Sequence, residues 1–541
     1  MDLPLELKRK TLESAHILGL GDGIAQVYDH LSDRIDYEVD PRIAEYSLAD
    51  DEVEGYVLLP TVEGSNRNAY RTYIIGHAFR TRGYRPIVPL CNADLELCMR
   101  KSPDWDSDAV CHLCNHHGRV LADAFGFDQV DLQNLIPGDV AYGVESYLNG
   151  DKSTYRGINV AEFATASARK FLQKYHVMSD PEERQIVRRF LVTACHLTDA
   201  FYTLFDEYDF ETCFTNDPAY VYGGVPLAVA DANGVVGYSS SRAYRDRALL
   251  FGRTANSTWL PQFEDHEFLT SLLNEPLSDE QRAHVNRIMS GRETGDHTRV
   301  HYTTQESESV DDGGSGTFAA MFTNLIWDAS LEAGEAAYDD PFEWISDTIE
   351  WFNEHKEETL VVKLHPAESK FGTNERVGEW ITEHYRPLPG NIEMLPPETD
   401  VNTYQLLDEI DVAIVYNSTV GFEMAYNGGP VVVAGDTHYR DHGFTFDADT
   451  KRGYFDYLDQ LKTLELSEEE HTRAIRYVYR LLVTRHIDWP YSETNEETGE
   501  VELLPVSHDD VTPGNELFDH IVKASLAGDP IVSPEASHLL N

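Results

Sequence analysis

The chain has 541 residues, of which 41% are hydrophobic and 25% are charged. This length and composition suit a soluble globular protein of two or three domains with ordinary hydrophobic cores. Acidic residues outnumber basic residues by 94 to 43, which gives a formal net charge of -51. Because duplex nucleic acid is bound by basic surfaces, this balance argues against nucleic acid as a partner.

The acidic residues are spread over the whole chain instead of being gathered in a tail. At low salt, where charges interact over about 10 Å or more, a folded chain of this kind repels itself. We therefore predict a cytoplasmic protein of a halophile that accumulates salt, free in solution or peripheral at the membrane; an acidic surface that binds a partner is the alternative. No run approaches the roughly 20 apolar residues that span a bilayer, so we expect no integral membrane segment.

The first part of the chain alternates between strand-like and helix-like segments. Residues 1–50 are acidic and predict a helical extension. They are followed by GYVLLP (55–60), RTYIIGHAFRTRG (71–83) and YRPIVPL (84–90), which predict a strand, a helix and a parallel strand. Similar alternation continues to about residue 240, so we assign residues 51–305 to a Rossmann-like domain.

A second alternating series follows a linker at residues 306–316, which are rich in Ser, Asp and Gly. The predicted strands of this series are TFAAMFTN, TLVVKLHP, NIEML, DVAIVY and GPVVVAG. We assign residues 317–485 to a second Rossmann-like domain and residues 486–541 to an acidic C-terminal extension. The predicted fold class is α/β, with two Rossmann-like domains that face each other across a cleft.

The segment DVAIVYNSTVGFEMAYNGGP (411–430) predicts a strand followed by a helix start. Ser418 is placed to cap the helix, and phosphate binds readily to the unpaired N–H groups of such an end. Ser418 and Thr419 can add hydroxyl donors, and Glu423, one turn further, can accept from a ribose diol. The alternative is a plain cap followed by a surface acid.

His365 and Pro366 end the apolar strand TLVVKLHPAE (359–368), at the same edge of the same predicted sheet. A histidine there can donate a hydrogen bond to a phosphate oxygen or to a base. A structural role is the alternative for one isolated histidine. The pairing of a His-Pro strand end with a Ser-Thr helix start, about 50 residues later in one sheet, favours a phosphate site.

Together these motifs resemble the C-terminal half of the capsule polysaccharide biosynthesis family, which has the GT-B glycosyltransferase fold. The residues that carry the resemblance are His365-Pro366, Ser418-Thr419, Glu423, Gly428 and Pro430, with the segments TNLIWDAS (323–330), FEWISDTIEWF (342–352) and GDTHYRDHGFTFD (435–447).

The resemblance implies a nucleotide-sugar donor held by the second domain. Its phosphates would contact His365 and Ser418/Thr419, and its ribose would contact Glu423. A CMP- or CDP-linked sugar is expected, because relatives with these motifs include enzymes that use cytidine nucleotides. Asn324 and Asp328 would lie at the cleft end of the domain's first strand, either in this site or in a simple turn.

Four cysteines, Cys91, Cys98, Cys111 and Cys114, have the spacing C-x6-C-x12-C-x2-C in a loop at residues 91–117. Such spacing can close a tetrahedral metal site, so we predict a structural zinc, with an iron–sulfur cluster as the second choice. Reduced thiols in a packed loop, or a redox pair at Cys111 and Cys114, are the alternatives.

The resemblance implies that the two domains close on the donor and that the first domain activates a hydroxyl of a glycan or lipid-linked acceptor. A general base is expected near the loop after GYVLLP or in the cysteine loop, where Glu63 and Asp94 are the nearest carboxylates. The alternative is that each is a surface acid. Lys363, His365 and Arg440 are predicted to offset the charge of the leaving nucleotide.

Three functions remain open at this point. A glycosyltransferase of surface polysaccharide synthesis is the first. A sugar-nucleotide epimerase or a glycerophosphate transferase of the same fold is the second, and a non-catalytic scaffold for polysaccharide assembly is the third.

Overall fold

A computed structural model describes most of the chain: residues 38–62, 67–91, 95–103, 109–136, 142–254, 260–263, 266–294, 316–328, 336–370, 372–495, 501–534 and 536. Glu63, Asp94 and nearly all of the predicted linker lie outside these ranges. Among the helices of the described ranges, none combines the length and apolar character needed to cross a bilayer.

Fifteen strands are present in the described ranges. They are Gly55–Leu58 (β1), Tyr84–Leu90 (β2), Asp128–Asp131 (β3), Phe210–Thr215 (β4), Gly237–Arg242 (β5), Ala248–Arg253 (β6), Phe318–Phe322 (β7), Thr359–Lys363 (β8), Ile392–Leu395 (β9), Val412–Val415 (β10), Val431–Val433 (β11), Phe446–Asp447 (β12), Ile487–Asp488 (β13), Ser492–Thr494 (β14) and Val501–Leu503 (β15).

The helices alternate with these strands. They are Pro41–Glu45 (α1), Arg67–Arg80 (α2), Ala109–Phe125 (α3), Glu145–Leu148 (α4), Val160–Leu172 (α5), Pro181–Glu207 (α6), Val221–Ala232 (α7), His266–Asn274 (α8), Asp279–Thr294 (α9), Pro341–Glu354 (α10), Ala367–Lys370 (α11), Val377–His384 (α12), Thr403–Glu409 (α13), Val420–Tyr426 (α14), Lys451–Leu458 (α15), Glu468–Tyr479 (α16), His508–Val511 (α17) and Glu516–Ala527 (α18).

The second sheet has six parallel strands in the order β9-β8-β7-β10-β11-β12. Its central strands β7, β10 and β11 are buried at every position, as expected for parallel strands covered on both faces. The strand order reverses between β7 and β10. In sheets of this kind, ligands bind outside the carboxyl ends of the strands at that switch point.

The first sheet has seven strands in the order β13-β6-β5-β4-β1-β2-β3. Strands β1 to β5 run parallel, whereas β6 and β13 are antiparallel to their neighbours. Both sheets therefore have a Rossmann-like order around their first strands, which confirms the predicted α/β fold of two such domains.

Two segments pack differently from the predicted organisation. The C-terminal segment returns to the first sheet through β13, and Phe518 of α18 is buried with Tyr70 and Ile74 of α2. Helices α8 and α9 precede the linker, yet Leu272 and Val285 belong to the core around β7 and β10. Each domain therefore contains residues that lie beyond the predicted boundaries.

Candidate functional site

A small cavity of about 160 Å³ lies at the switch point of the second sheet, and we call it the switch-point cavity. Asn324, Asp328, His365, Ser418 and Thr419 all line it, although they come from three separate connections. The structure therefore brings together five of the predicted donor residues. The remaining wall is formed by Tyr244, Gln262, Phe263, Leu325, Asn417, Asp436, Thr437 and His438.

His365 is held in one orientation by two backbone contacts. Its own N–H donates to the Thr323 hydroxyl at 3.1 Å, and the N–H of Ala367 donates to its Nδ1 at 3.1 Å. Because Nδ1 accepts, a neutral ring carries its proton on Nε2. Burial lowers the pKa of His365, which favours this neutral form. The ring can therefore donate from Nε2, and Pro366 follows it at the turn into α11.

Ser418 and Thr419 precede helix α14. The cap residue is Thr419, one position later than predicted, and the Ser418 hydroxyl accepts from the N–H of Val420 at 3.4 Å. Tyr439 donates its hydroxyl to the Ser418 carbonyl, and a Cβ on Gly421 would lie only 2.3 Å from the Tyr439 oxygen. Gly421 is therefore needed for the close contact that fixes the start of the helix.

Asn324 leaves one polar atom unsatisfied beside the cavity. Its Nδ2 donates to Asn417 Oδ1 at 2.6 Å, while its Oδ1 is buried and accepts no hydrogen bond from the described residues. Buried acceptors of this kind are rare in folded proteins, because losing water without gaining a partner is unfavourable. A ligand hydroxyl or amide would satisfy the Asn324 oxygen.

The charge of the cavity comes from several groups. Burial raises the pKa of Asp436 to about 6. Lys170 of α5 is a first-domain residue that was not among the predicted site residues. Its Nζ lies 4.2 Å from the Trp327 ring centroid, and it interacts electrostatically with Asp328. Lys170 therefore connects the first domain to this edge of the second sheet.

Glu423 does not line the switch-point cavity. Its side chain is 5% exposed, and its Oε1 accepts from Arg292 of α9 at 3.1 Å and from Tyr404 at 3.4 Å. The predicted contact with ribose would require the donor to reach a carboxylate that already has an arginine partner. Gly428, with a φ of 88°, follows the helix end as predicted.

Two of the predicted positive groups lie elsewhere. Lys363 donates to the carbonyl of Val401 at 2.9 Å, and burial lowers its pKa to about 8. Arg440 is ion-paired with Asp441 and Asp449. Neither residue is among those that line the cavity, and each is engaged by local partners.

The four clustered cysteines are half-buried, with Cys91 just after β2 and both Cys111 and Cys114 in the first turns of α3. Within the described ranges, no group of three or more His, Cys, Asp or Glu side chains is arranged to hold a metal ion. The zinc site therefore stays a prediction.

Comparison with protein families places the site in a known context. Residues 304–468 match the family described as capsule polysaccharide biosynthesis protein. The resemblance is confirmed over this segment. We call residues 304–468 the capsule-family segment. It contains β7 to β12 and all seven predicted donor residues. No curated protein matches the chain.

Several solved structures resemble this chain at low identity. KpsC of Thermosulfurimonas dismutans, a beta Kdo 2,4 transferase, has 11% identity over 57% of this chain and 87% of its own, with a TM-score of 0.33. Alr3699/HepE of Anabaena, solved with UDP-glucose, has 11% identity over 79% and 94%, with a TM-score of 0.26. The UDP-GlcNAc 2-epimerase of Neisseria meningitidis has 9% identity over 78% and 94%, with a TM-score of 0.24. At these values neither substrate nor mechanism transfers to this chain.

Proposed function

We propose that this protein is a glycosyltransferase that moves a sugar from a nucleotide donor to a glycan or lipid-linked acceptor during surface polysaccharide synthesis. The observation that carries the proposal is the convergence of His365, Ser418, Thr419, Asn324 and Asp328 on one cavity at the switch point of the capsule-family segment. Ligands of parallel α/β sheets bind at this position.

The donor phosphates would be held by neutral hydrogen-bond donors. His365 offers Nε2–H, and Ser418 and Thr419 offer hydroxyl groups, all on the wall of one cavity. These groups would stabilise the negative charge that develops on the leaving phosphate as the bond to the sugar breaks. A cytidine nucleotide is the donor that we expect from the family resemblance.

Asp217 is the first-domain carboxylate that we propose as the general base. It follows β4 at the switch point of the first sheet, has a φ of 50°, and interacts electrostatically with Lys170, as does Asp328. Left-handed non-glycine residues concentrate at functional sites. Asp217 would accept the proton of the acceptor hydroxyl while that oxygen bonds to the sugar and the phosphate departs.

Thermal unfolding with nucleotides tests the donor site. In molar KCl, one of CMP, CDP, UDP, GDP and ADP should raise the melting temperature of the wild type. The shift should disappear in His365→Ala and Ser418→Ala but persist in His384→Ala, a matched control on the exposed side of α12. No shift with any nucleotide would contradict the donor site, and product analysis with the matching nucleotide sugar would separate transfer from epimerisation.

A further inference from the structure

A second and larger cavity, of about 860 Å³, adjoins the switch-point cavity. Tyr244 lines both cavities, so they share this residue. The lining of the larger cavity includes four arginines, which are Arg245, Arg247, Arg287 and Arg292. We call it the arginine cavity. Its volume lies within the range of roughly 300–1,000 Å³ that is usual for small-molecule sites.

The charge of the arginine cavity is opposite to that of the whole chain. The protein has 43 basic residues against 94 acidic ones, yet the carboxylates that line this cavity are only Asp246 and Asp488. Arg245 is ion-paired with Asp488, Arg247 with Glu493 and Arg292 with Glu423. Arg287 has no ion pair with a described residue. Of the four arginines, Arg287, at an exposed position of α9, therefore keeps a positive charge without an ion-pair partner among the described residues.

His486 adds an observation that is independent of the arginines. It lines the arginine cavity, is 1% exposed, and neither ring nitrogen has a hydrogen-bond partner among the described residues. Its ring stacks on Tyr244 with centroids 6.1 Å apart. A buried imidazole without partners is unfavourable, and a ligand that donates and accepts hydrogen bonds would satisfy both nitrogens.

The walls of the arginine cavity come largely from elements outside the donor motifs. Arg245 and Arg247 lie in the connection between β5 and β6 of the first sheet, and Arg287 and Arg292 lie on α9. Guanidinium groups bind carboxylate and phosphate through paired hydrogen bonds. The donor phosphates already have a proposed site in the smaller cavity. The arginine cavity would therefore bind a different anion.

We propose that the arginine cavity binds the acceptor, and that this acceptor carries a carboxylate or a phosphate close to the hydroxyl that receives the sugar. The inference rests on the proposed transferase function, since the shared residue Tyr244 places this cavity beside the proposed donor site. His486 would bind an acceptor hydroxyl other than the one that receives the sugar, while Arg287 and Arg245 bind the anionic group of the acceptor.

Titration calorimetry with small saccharides tests the proposal. The probes are tetragalacturonate as a carboxylate source, glucose 6-phosphate as a phosphate source, and neutral maltotetraose, each added to the full chain in molar KCl without nucleotide. Charges on an open surface are screened within about 3 Å in 1 M salt, so binding under these conditions requires a shaped cavity. We expect at least one acidic probe to bind and maltotetraose not to bind.

Arg287→Gln should weaken the binding of the acidic probe at least tenfold, because it removes a guanidinium that binds the anionic group. Arg287 has no ion-pair partner among the described residues, so this substitution leaves no carboxylate unpaired. The matched control is Arg452→Gln, which removes an exposed arginine of α15 away from the cavity. His486→Phe keeps the aromatic stack and should lower probe affinity without lowering the melting temperature.

Three results would overturn the proposal. The first is that neither acidic probe binds, and the second is that wild type and Arg287→Gln bind the acidic probe with equal affinity. The third is that Arg287→Gln loses nucleotide affinity while its binding of the acidic probe is unchanged. The last result would assign the cavity to the donor. Failure of every nucleotide to bind the wild type would instead contradict the proposed function, and it is measured separately from the saccharide titrations.

Discussion

Glu423 and Arg292 form a buried ion pair between α14 and α9, with side chains 5% and 12% exposed. Replacing one partner leaves a charge buried without compensation, which typically costs about 3–5 kcal/mol. We therefore expect Glu423→Gln and Arg292→Met each to lower the free energy of unfolding by about that amount. The double variant should recover most of the loss, and denaturant unfolding of all four proteins measures the coupling.

The same variants examine the predicted ribose contact. If Glu423 binds the donor ribose, the double variant will regain stability but not nucleotide affinity. Normal nucleotide affinity in a stable double variant would limit Glu423 to its structural pairing with Arg292.

Asp436 gives the protein a pH dependence with a definite sign. Its pKa is raised from 3.8 to about 6 by burial in the folded state. Between these values the folded state binds a proton that the unfolded state releases, so stability falls as pH rises from about 4 to about 6 and is constant above that. Asp436→Asn should remove this contribution, which is on the order of 3 kcal/mol. The measurement is the difference in unfolding free energy between wild type and variant across this range, because other carboxylates cancel in it. A difference independent of pH would contradict the assignment.

At the scale of elements, the C-terminal segment is part of the first domain. Phe518 of α18 is fully buried against α2, and Trp489 beside β13 is 1% exposed. Phe518→Ala should destabilise the protein by about 3–5 kcal/mol, because it removes a large buried side chain and leaves a cavity. Lys523→Ala, on the exposed side of the same helix, should change stability by less than about 0.5 kcal/mol. Equal effects in urea unfolding would mean that α18 is not packed as described.

The cysteine loop supports a prediction about metal content. If Cys91, Cys98, Cys111 and Cys114 close a zinc site, elemental analysis should find about one zinc per chain. Cys111→Ser with Cys114→Ser should lose it, whereas Cys195→Ala, a buried core position, should retain it. A metal-free wild type that folds normally would remove the metal from the description of this loop.

The elements that could be predicted from the sequence are those with a strong local pattern. The strands β7, β8 and β10 were predictable because parallel strands buried on both faces are nearly continuous apolar runs. The convergence of His365 and Ser418 followed from that, since the carboxyl ends of parallel strands meet at one edge.

Features that depend on distant contacts were not predictable. Strand β13 has two residues, too few for a recognisable pattern, and its pairing with β6 joins positions 487 and 249. The arginine cavity likewise joins the residues around 245, 287 and 486, and none of these stretches is basic enough alone to stand out. The pairing of Arg292 with Glu423 also joins distant positions and could not be predicted from a local pattern. The sequence analysis therefore predicted a carboxylate available to ribose, where the structure has an ion pair.

At the scale of the whole molecule, the charge of -51 sets the conditions under which the fold is stable. In dilute buffer of 0.01 M ionic strength, charges interact over about 30 Å, a distance comparable to a domain, whereas in 1 M salt the range falls to about 3 Å. Repulsion among the carboxylates should therefore destabilise the folded state at low salt and nearly vanish in molar KCl. We expect a cooperative thermal transition in 2 M KCl that broadens or disappears in dilute buffer, measured by circular dichroism. Because the effect comes from total charge, single substitutions such as Arg452→Gln should leave the salt dependence unchanged. A sharp transition in dilute buffer would contradict the halophilic interpretation and favour an acidic surface that binds a partner.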